Sequence, residues 1–292
     1  LEQFENLYNQ NDSSAAALSE LPTAFDYIRL GHPLSCLLEW AIAKSCQLDS
    51  NGVISFSSKT TPILAILRKN LFANKNTQIC YSGALPEMFE ADIIREVYGY
   101  QFELKQIQSS HEVTAFDGSI VFLSQESDIS AIDLNPQVDF YINMHAELGS
   151  ITLVTGEQNQ SYISEIQHVR RRESIAMTPA NCLSLLRQIV DQDTTQTAYS
   201  NTNESAVVTA INTICGTNTR ALVASSGLSI QYAILMGLIH YAEENHIGKA
   251  IKIIVPPNCY GGTNDQARRV AACLDNVEIV DFPVDAGNDM VQ

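Results

Sequence analysis

Two short segments carry residue types that could do chemistry together. The first, Ser225-Ser226-Gly227-Leu228, follows a short apolar run at 221–224 and opens a long apolar-periodic stretch. A Ser-Ser-Gly turn at a helix start offers hydroxyls and free backbone N–H groups at the positive end of the helix dipole, a geometry that binds phosphate. Serine is also a favoured N-cap, so the same turn reads as plain capping. The second segment, Cys259-Tyr260-Gly261-Gly262-Thr263, comes after Pro256-Pro257-Asn258 and an apolar run at 252–255. Two glycines after an aromatic leave the backbone free to bend and set the tyrosine ring over the end of a sheet. Open α/β sheets bind ligands at the carboxyl ends of their strands, where both segments fall. A phosphate cradle and a flat ring at one sheet edge suit a phosphorylated aromatic cofactor.

The elements that must position these segments alternate in type. Strands are expected at 53–56, 78–81, 102–107, 119–123 and 139–143, with helices at 34–44, 61–71 and 87–98. After a polar stretch at 191–205, strands are expected at 221–224, 252–255 and 277–281, the first two joined by a helix over 229–246. Its apolar face would be Ile230, Ala233, Ile234, Gly237, Leu238 and Tyr241, and Gly248 would cap its end. Short strands between helices of ten or so residues indicate an α/β protein with a mostly parallel sheet and helices on both faces. The two sides of the polar stretch also align. Ser57 falls on Ser225, Ser58 on Ser226, Lys59 on Gly227, Ala65 on Ala233, Leu67 on Leu235 and Glu103 on Glu278, with one extension in the second copy. The expected organisation is a first copy over 1–190 and the start of a second over 191–292.

ALVASSGLSIQYAIL from Ala221 and NCYGGT from Asn258 resemble the cystathionine γ-synthase, cystathionine lyase and methionine γ-lyase family of pyridoxal-phosphate (PLP) enzymes. The resemblance implies a type-I PLP-dependent transferase fold with PLP as cofactor. It places Ser226, Gly227 and Leu228 at the PLP phosphate and Tyr260 on the pyridine ring. Tyr199-Ser200-Asn201-Thr202 is similar to the family's Tyr-Ser-Arg-Thr, which reaches a neighbouring subunit's phosphate, so Tyr199 is a further cofactor residue. Asn201 replaces the arginine, and that contact loses its charge. In the first half, VDFYINMHAEL from Val138 has the shape of the family's strand ending in Ser-x-Thr-Lys, with Met144 at the serine and Glu147 at the lysine. Residues 172–189 resemble the family's Leu-Ser-Pro-containing helix. Lys59 in the first turn would obstruct a phosphate, so the first copy reads as degenerate.

The seven lysines are Lys44, Lys59, Lys69, Lys75, Lys105, Lys249 and Lys252, and none stands in the family's setting downstream of Tyr260. The Schiff-base lysine, and with it the catalytic residue, is therefore expected outside this chain. Two functions are open. The first is PLP-dependent carbon–sulfur lyase or transferase chemistry, by β- or γ-elimination or replacement on a cysteine- or homocysteine-derived amino acid. The second is a non-catalytic PLP-fold subunit or scaffold. A generic phosphate-ligand module would keep Ser226 and Gly227 but leave the Tyr-Gly-Gly-Thr unexplained. The net charge of −16 argues against nucleic acid and anionic membranes as partners. Seven widely spaced cysteines without a C-x-x-C fit reduced thiols in a cytoplasmic protein, and the six histidines show no metal-ligand spacing. The run Arg170-Arg171-Arg172 with Glu173 reads as a solvated helix face. Asp281 and Asp285 read as turn residues beside Pro283. The resemblance implies a homo-oligomer, dimer or tetramer, and a small-molecule amino-acid substrate.

Overall fold

The first half is organised around a six-stranded sheet. The computed structural model describes residues 1–22, 27–125, 132–190 and 202–282, without the side chains of 202–204. The strands are β1 (Val53–Phe56), β2 (Thr77–Tyr81), β3 (Glu103–Gln106), β4 (Ser119–Gln125), β5 (Phe140–His145) and β6 (Gly149–Val154). Their order across the sheet is β1-β6-β5-β4-β2-β3. β2 pairs in parallel with β3 and with β4, and β4 with β5. β6 alone runs against its neighbours, antiparallel to β5 and to β1.

Strands β1, β5 and β6 are buried at every residue, as expected where helices cover both faces. The helices are α1 (Glu2–Asn9), α2 (Ala15–Ser19), α3 (Pro33–Cys46), α4 (Thr61–Phe72), α5 (Ala91–Glu96), α6 (Gln160–Glu173) and α7 (Pro179–Ile189). Alternate strand residues sort onto two faces. Ile54, Phe56, Ile79 and Phe140 pack with Ile63 and Ile66 of α4 and Ile166 and Val169 of α6. Val53, Cys80, Phe122 and Ile151 pack with Leu38 and Ile42 of α3 and Cys182 and Leu185 of α7. The result is the expected mixed α/β architecture with a mostly parallel sheet between helical layers.

Three expectations for this half are corrected. The helix expected over 87–98 forms only at Ala91–Glu96. Strand β6 is an addition, because His-Ala-Glu-Leu is a tight hairpin turn rather than the end of the sheet. The His145 ring accepts the N–H groups of Glu147 and Leu148 at 3.1 and 3.3 Å. Gly149 turns with φ of +117° so close to β1 that a Cβ would lie 2.2 Å from the Phe56 carbonyl oxygen. Finally, the basic run is not a solvated face. Successive helical residues point about 100° apart, so Arg170 and Glu173 turn inward while Arg171 stays exposed. Arg170 pairs with Glu39 at 2.7 Å.

In the second half, α8 (Thr202–Cys215) leads to α9 (Gly227–Asn245), β7 (Ile251–Val255), α10 (Gly261–Ala271) and β8 (Val277–Asp281). β7 and β8 form a parallel two-stranded sheet, from Ile251↔Val277 to Val255↔Asp281. Residues 221–224 are not a strand, and Leu222 is 68% exposed. The first half supplies the reason. The strand with which 221–224 aligns in sequence, β1, draws its ladder from β6 alone, and the described residues of the second half hold no counterpart of β6. The buried face of α9 also differs from expectation. Leu228, Tyr232, Met236 and Ile239 are buried, whereas Ile234, Leu238 and Tyr241 are exposed. The helix is apolar on two sides, so composition cannot choose between them. The side that packs is the one against Val97 of the first half and Val270, Leu274 and Val277 of the second, at about 1.5–3 kcal/mol per large side chain buried.

A buried ionic cluster joins the halves. Arg68 of α4 holds Glu173 at the end of α6 with two hydrogen bonds of 2.6 and 2.8 Å, and also donates to the Tyr100 and Tyr232 hydroxyls at 3.1 and 3.2 Å. Burial opposes the Arg68 charge, but the Glu173 carboxylate, held by two short hydrogen bonds, outweighs it and the guanidinium stays well above its usual range. Burial pushes the Tyr100 and Tyr232 phenols up, so both stay protonated. Around this cluster, Asp265 of α10 meets His168 at 2.9 Å and Arg172 at 3.1 Å, and Arg269 pairs with Glu165. No helix among the described residues is long and apolar enough to cross a membrane.

Candidate functional site

Helices α9 and α10 begin side by side. Ser226 is the N-cap of α9, its hydroxyl oxygen accepting the N–H of Ser229 at 3.1 Å. That bond satisfies one of the orphan donors of the first turn, and the N–H groups of Gly227 and Leu228 remain without intrahelical acceptors. A Cβ at Gly227 would meet nothing within 4 Å, so the turn opens onto free space. The Ser226 and Ser225 hydroxyls both lie against the Ser229 hydroxyl, at 2.7 and 3.0 Å. Capping and an open, donor-rich helix start are therefore both present in one turn.

Tyr260 is the N-cap residue of α10 and is 59% exposed. The glycines after it act differently from the sequence expectation. Neither has a positive φ, so backbone bending is not their role. Gly262 is needed for its missing side chain: a Cβ there would lie 2.6 Å from Cε1 of Tyr260 and 2.9 Å from Cδ1 of Leu228. This close approach brings the ring to the start of α9.

A chain of amides fixes the two helix starts together. The Thr263 hydroxyl donates to Gln231 Oε1 at 2.8 Å, and Gln231 Nε2 donates to Gln266 Oε1 at 2.9 Å. Gln266, fully buried, donates to the backbone carbonyls of Leu228 and Arg172, both at 3.0 Å. Every polar atom of that amide has a partner, as burial requires.

Between these parts lies an open cavity of about 390 Å³, lined by Arg29, Ser226, Gly227, Leu228, Gln231, Tyr260 and Thr263. The structure thus gathers four of the five sequence-predicted site residues around one space. The fifth, Tyr199, lies outside the described residues together with Ser200 and Asn201, as does Asp285. Asp281 pairs with Arg268 at 2.5 Å. None of the seven lysines lines the cavity. Among the described residues no group of three or more His, Cys, Asp or Glu could hold a metal ion.

Arg29 is the residue that the sequence reading missed. It comes from the first half, and its Nη2 donates to the Tyr260 hydroxyl at 3.1 Å. A signal for it existed. Tyr27-Ile28-Arg29 precedes the first Ser-Ser turn as Tyr199-Ser200-Asn201 precedes the second, and only the first keeps the arginine.

No family model matches the sequence, and no curated protein matches it. Solved structures with a similar chain path include the following three, all at low identity. L-threonine-O-3-phosphate decarboxylase from Porphyromonas gingivalis is 10% identical over 61% of this chain and 66% of its own, with a TM-score of 0.34. MetB from Corynebacterium glutamicum is 12% identical over 61% and 57%, with a TM-score of 0.35. The cystine C–S lyase C-DES, in complex with cysteine persulfide, is 12% identical over 66% and 68%, with a TM-score of 0.33. The chain thus spans 66% of the decarboxylase and 57% of MetB. At such scores the functional reading rests on the site itself.

Proposed function

We propose that the second half binds PLP by its phosphate and one ring face, as part of a PLP-dependent carbon–sulfur lyase or transferase. The substrate class would be a cysteine- or homocysteine-derived amino acid, transformed by β- or γ-elimination or replacement. One observation carries the reading: the Ser226-Gly227-Leu228 turn and Tyr260, far apart in sequence, line one cavity of a size typical for small ligands. The phosphate would sit on the N–H groups of Gly227 and Leu228, at the positive end of α9. Tyr260 would stack on the ring, with Gly262 keeping the tyrosine against Leu228. Thr263, Gln231 and Gln266 hold both helix starts in place. When bound, the cofactor supplies an electron sink for carbanion chemistry.

The cavity has no lysine, and this favours a second reading, a non-catalytic PLP-fold subunit whose sheets and helices serve assembly. Both readings give this chain noncovalent binding. Equilibrium dialysis of PLP, followed by borohydride reduction and intact mass, tests them. Saturable binding of PLP with no mass gain is expected. No binding of PLP removes the cofactor reading altogether. Homo-oligomerisation to a dimer or tetramer is proposed with it and is checked by sedimentation.

A further inference from the structure

We propose that Arg29 is the cation of the phosphate seat, so that the anion site of the second half is completed by the first half of the same chain. The inference rests on the PLP reading and deepens it. Among the described residues, those that the second half contributes to the cavity, from Ser226 to Thr263, carry no charge to match a phosphate dianion. The cavity shows a charge arriving from elsewhere: Arg29 lines it together with Ser226 and Gly227, and reaches the Tyr260 hydroxyl at 3.1 Å.

The backbone that carries Arg29 is held in place by the fold. Leu30 and Gly31 both donate to the Tyr27 carbonyl, at 2.7 and 2.9 Å, closing a tight turn around Arg29. The turn is pinned on both sides of Arg29. Ala176 donates to the Ile28 carbonyl at 2.9 Å, and buried Arg170 donates to the Leu30 carbonyl. Arg170 is itself locked to Glu39 and to the Ser55 carbonyl, at 2.7 and 3.1 Å. The cation at the cavity is thus positioned by the core of the half that carries no open turn of its own.

Six arginines pair with carboxylates among the described residues, namely Arg68, Arg95, Arg170, Arg172, Arg268 and Arg269, and Arg29 does not join them. It also lies over the Tyr27 ring, 4.8 Å from the centroid. A guanidinium carries five donors, so the bond to Tyr260 leaves others for an anion lying on the N–H groups of Gly227 and Leu228. Arginine's fork and a helix start are complementary phosphate ligands, one supplying charge and the other fixed dipoles. A single copy of the chain then holds a complete phosphate seat.

Equilibrium dialysis of the full chain with PLP and with pyridoxal tests this, comparing the natural protein with Arg29→Ala, Arg29→Lys and the remote control Arg187→Ala. Arg29→Ala is expected to weaken PLP binding about tenfold or more, the scale of one charge-assisted hydrogen bond, and to leave pyridoxal binding unchanged. Arg29→Lys should recover part of the loss, and Arg187→Ala should match the natural protein. Inorganic phosphate should compete with PLP in the natural protein and in Arg29→Lys, and should need a higher concentration to do so in Arg29→Ala. Unchanged PLP binding in Arg29→Ala overturns the assignment, as does an equal loss for PLP and pyridoxal, which marks a structural role. Preference for PLP over pyridoxal that rises with protein concentration puts the cation on another copy and also overturns it. Failure of the natural protein to bind PLP at all instead refutes the cofactor reading itself.

Discussion

The turns at Ser57-Ser58-Lys59 and Ser225-Ser226-Gly227 begin with the same two residues and reach opposite ends. In the first, Ser58 accepts the N–H groups of Thr60 and Thr61 at 3.3 and 3.1 Å, and α4 starts only at Thr61. The Lys59 ammonium is engaged by the Ala146 carbonyl at 3.1 Å, and the Ser58 carbonyl is taken by the Ser150 hydroxyl at 2.6 Å. In the second, α9 starts at Gly227 itself, and a Cβ there would meet nothing within 4 Å. Serines therefore do not make a seat. One helix start faces a cavity, and the other is engaged by its own structure. The first half is a sheet whose turn is engaged by its own backbone and whose Arg29 lines the cavity, and the second half carries the open turn.

The largest way to break this division is at the buried ion pair. Glu173→Ala leaves the Arg68 charge buried without its carboxylate and should cost about 3–5 kcal/mol. Because Arg68 also holds Tyr232, thermal melting should show both halves losing stability in one transition. A melt within about 1 kcal/mol of the natural protein would mean that the cluster does not join the halves. Next comes Gln266→Ala, which strips hydrogen bonds from the carbonyls of Leu228 and Arg172 and should cost about 1–3 kcal/mol. It should also weaken PLP binding, since the two helix starts lose their tie. An effect on stability with PLP affinity untouched would show the amide chain to be irrelevant to the site. Smaller still, Tyr232→Phe removes one hydroxyl from Arg68 and should cost about 1 kcal/mol in a denaturant titration.

The smallest expected effect belongs to the first half. Burial pushes the His145 pKa below its usual value, with Glu147 opposing and Lys59 assisting, and the neutral ring accepts two backbone N–H groups. A depressed folded pKa means that this stability is complete above the ordinary histidine value of about 6.5. It is lost as pH falls through the lower, folded value. Denaturant midpoints should therefore decline on acidification below about pH 6.5. His145→Asn should flatten part of that slope, and an unchanged slope would remove His145 as its source.

Much of this was legible in the residues. The strands of the first half could be placed to within a few residues because helices on both faces demand unbroken apolar runs such as SIVFLS and FYINM. The motif residues Ser226, Gly227, Leu228 and Tyr260 could be grouped because each motif opens a helix, and the two helix starts lie side by side although no strand precedes the first. Strand β6 was hidden by a turn whose sequence resembled a site, and the 221–224 strand failed because local propensity cannot supply a neighbouring ladder. The packed face of α9 was unreadable in a helix apolar on two sides. Arg29 lies in the half whose own turn reads as degenerate, and its partner Tyr260 is 231 positions away.

The contrast between the turns has one direct test: PLP affinity of the full chain with each turn's third residue replaced by the other's. Gly227→Lys should abolish binding or weaken it by at least tenfold, about 1.4 kcal/mol, by filling the open helix start. Lys59→Gly should leave affinity and stoichiometry at the natural protein's values, with no second molecule gained per chain. Full binding by the Gly227→Lys protein, or its loss in the Lys59→Gly protein, would contradict the assignment of the open seat to the second half.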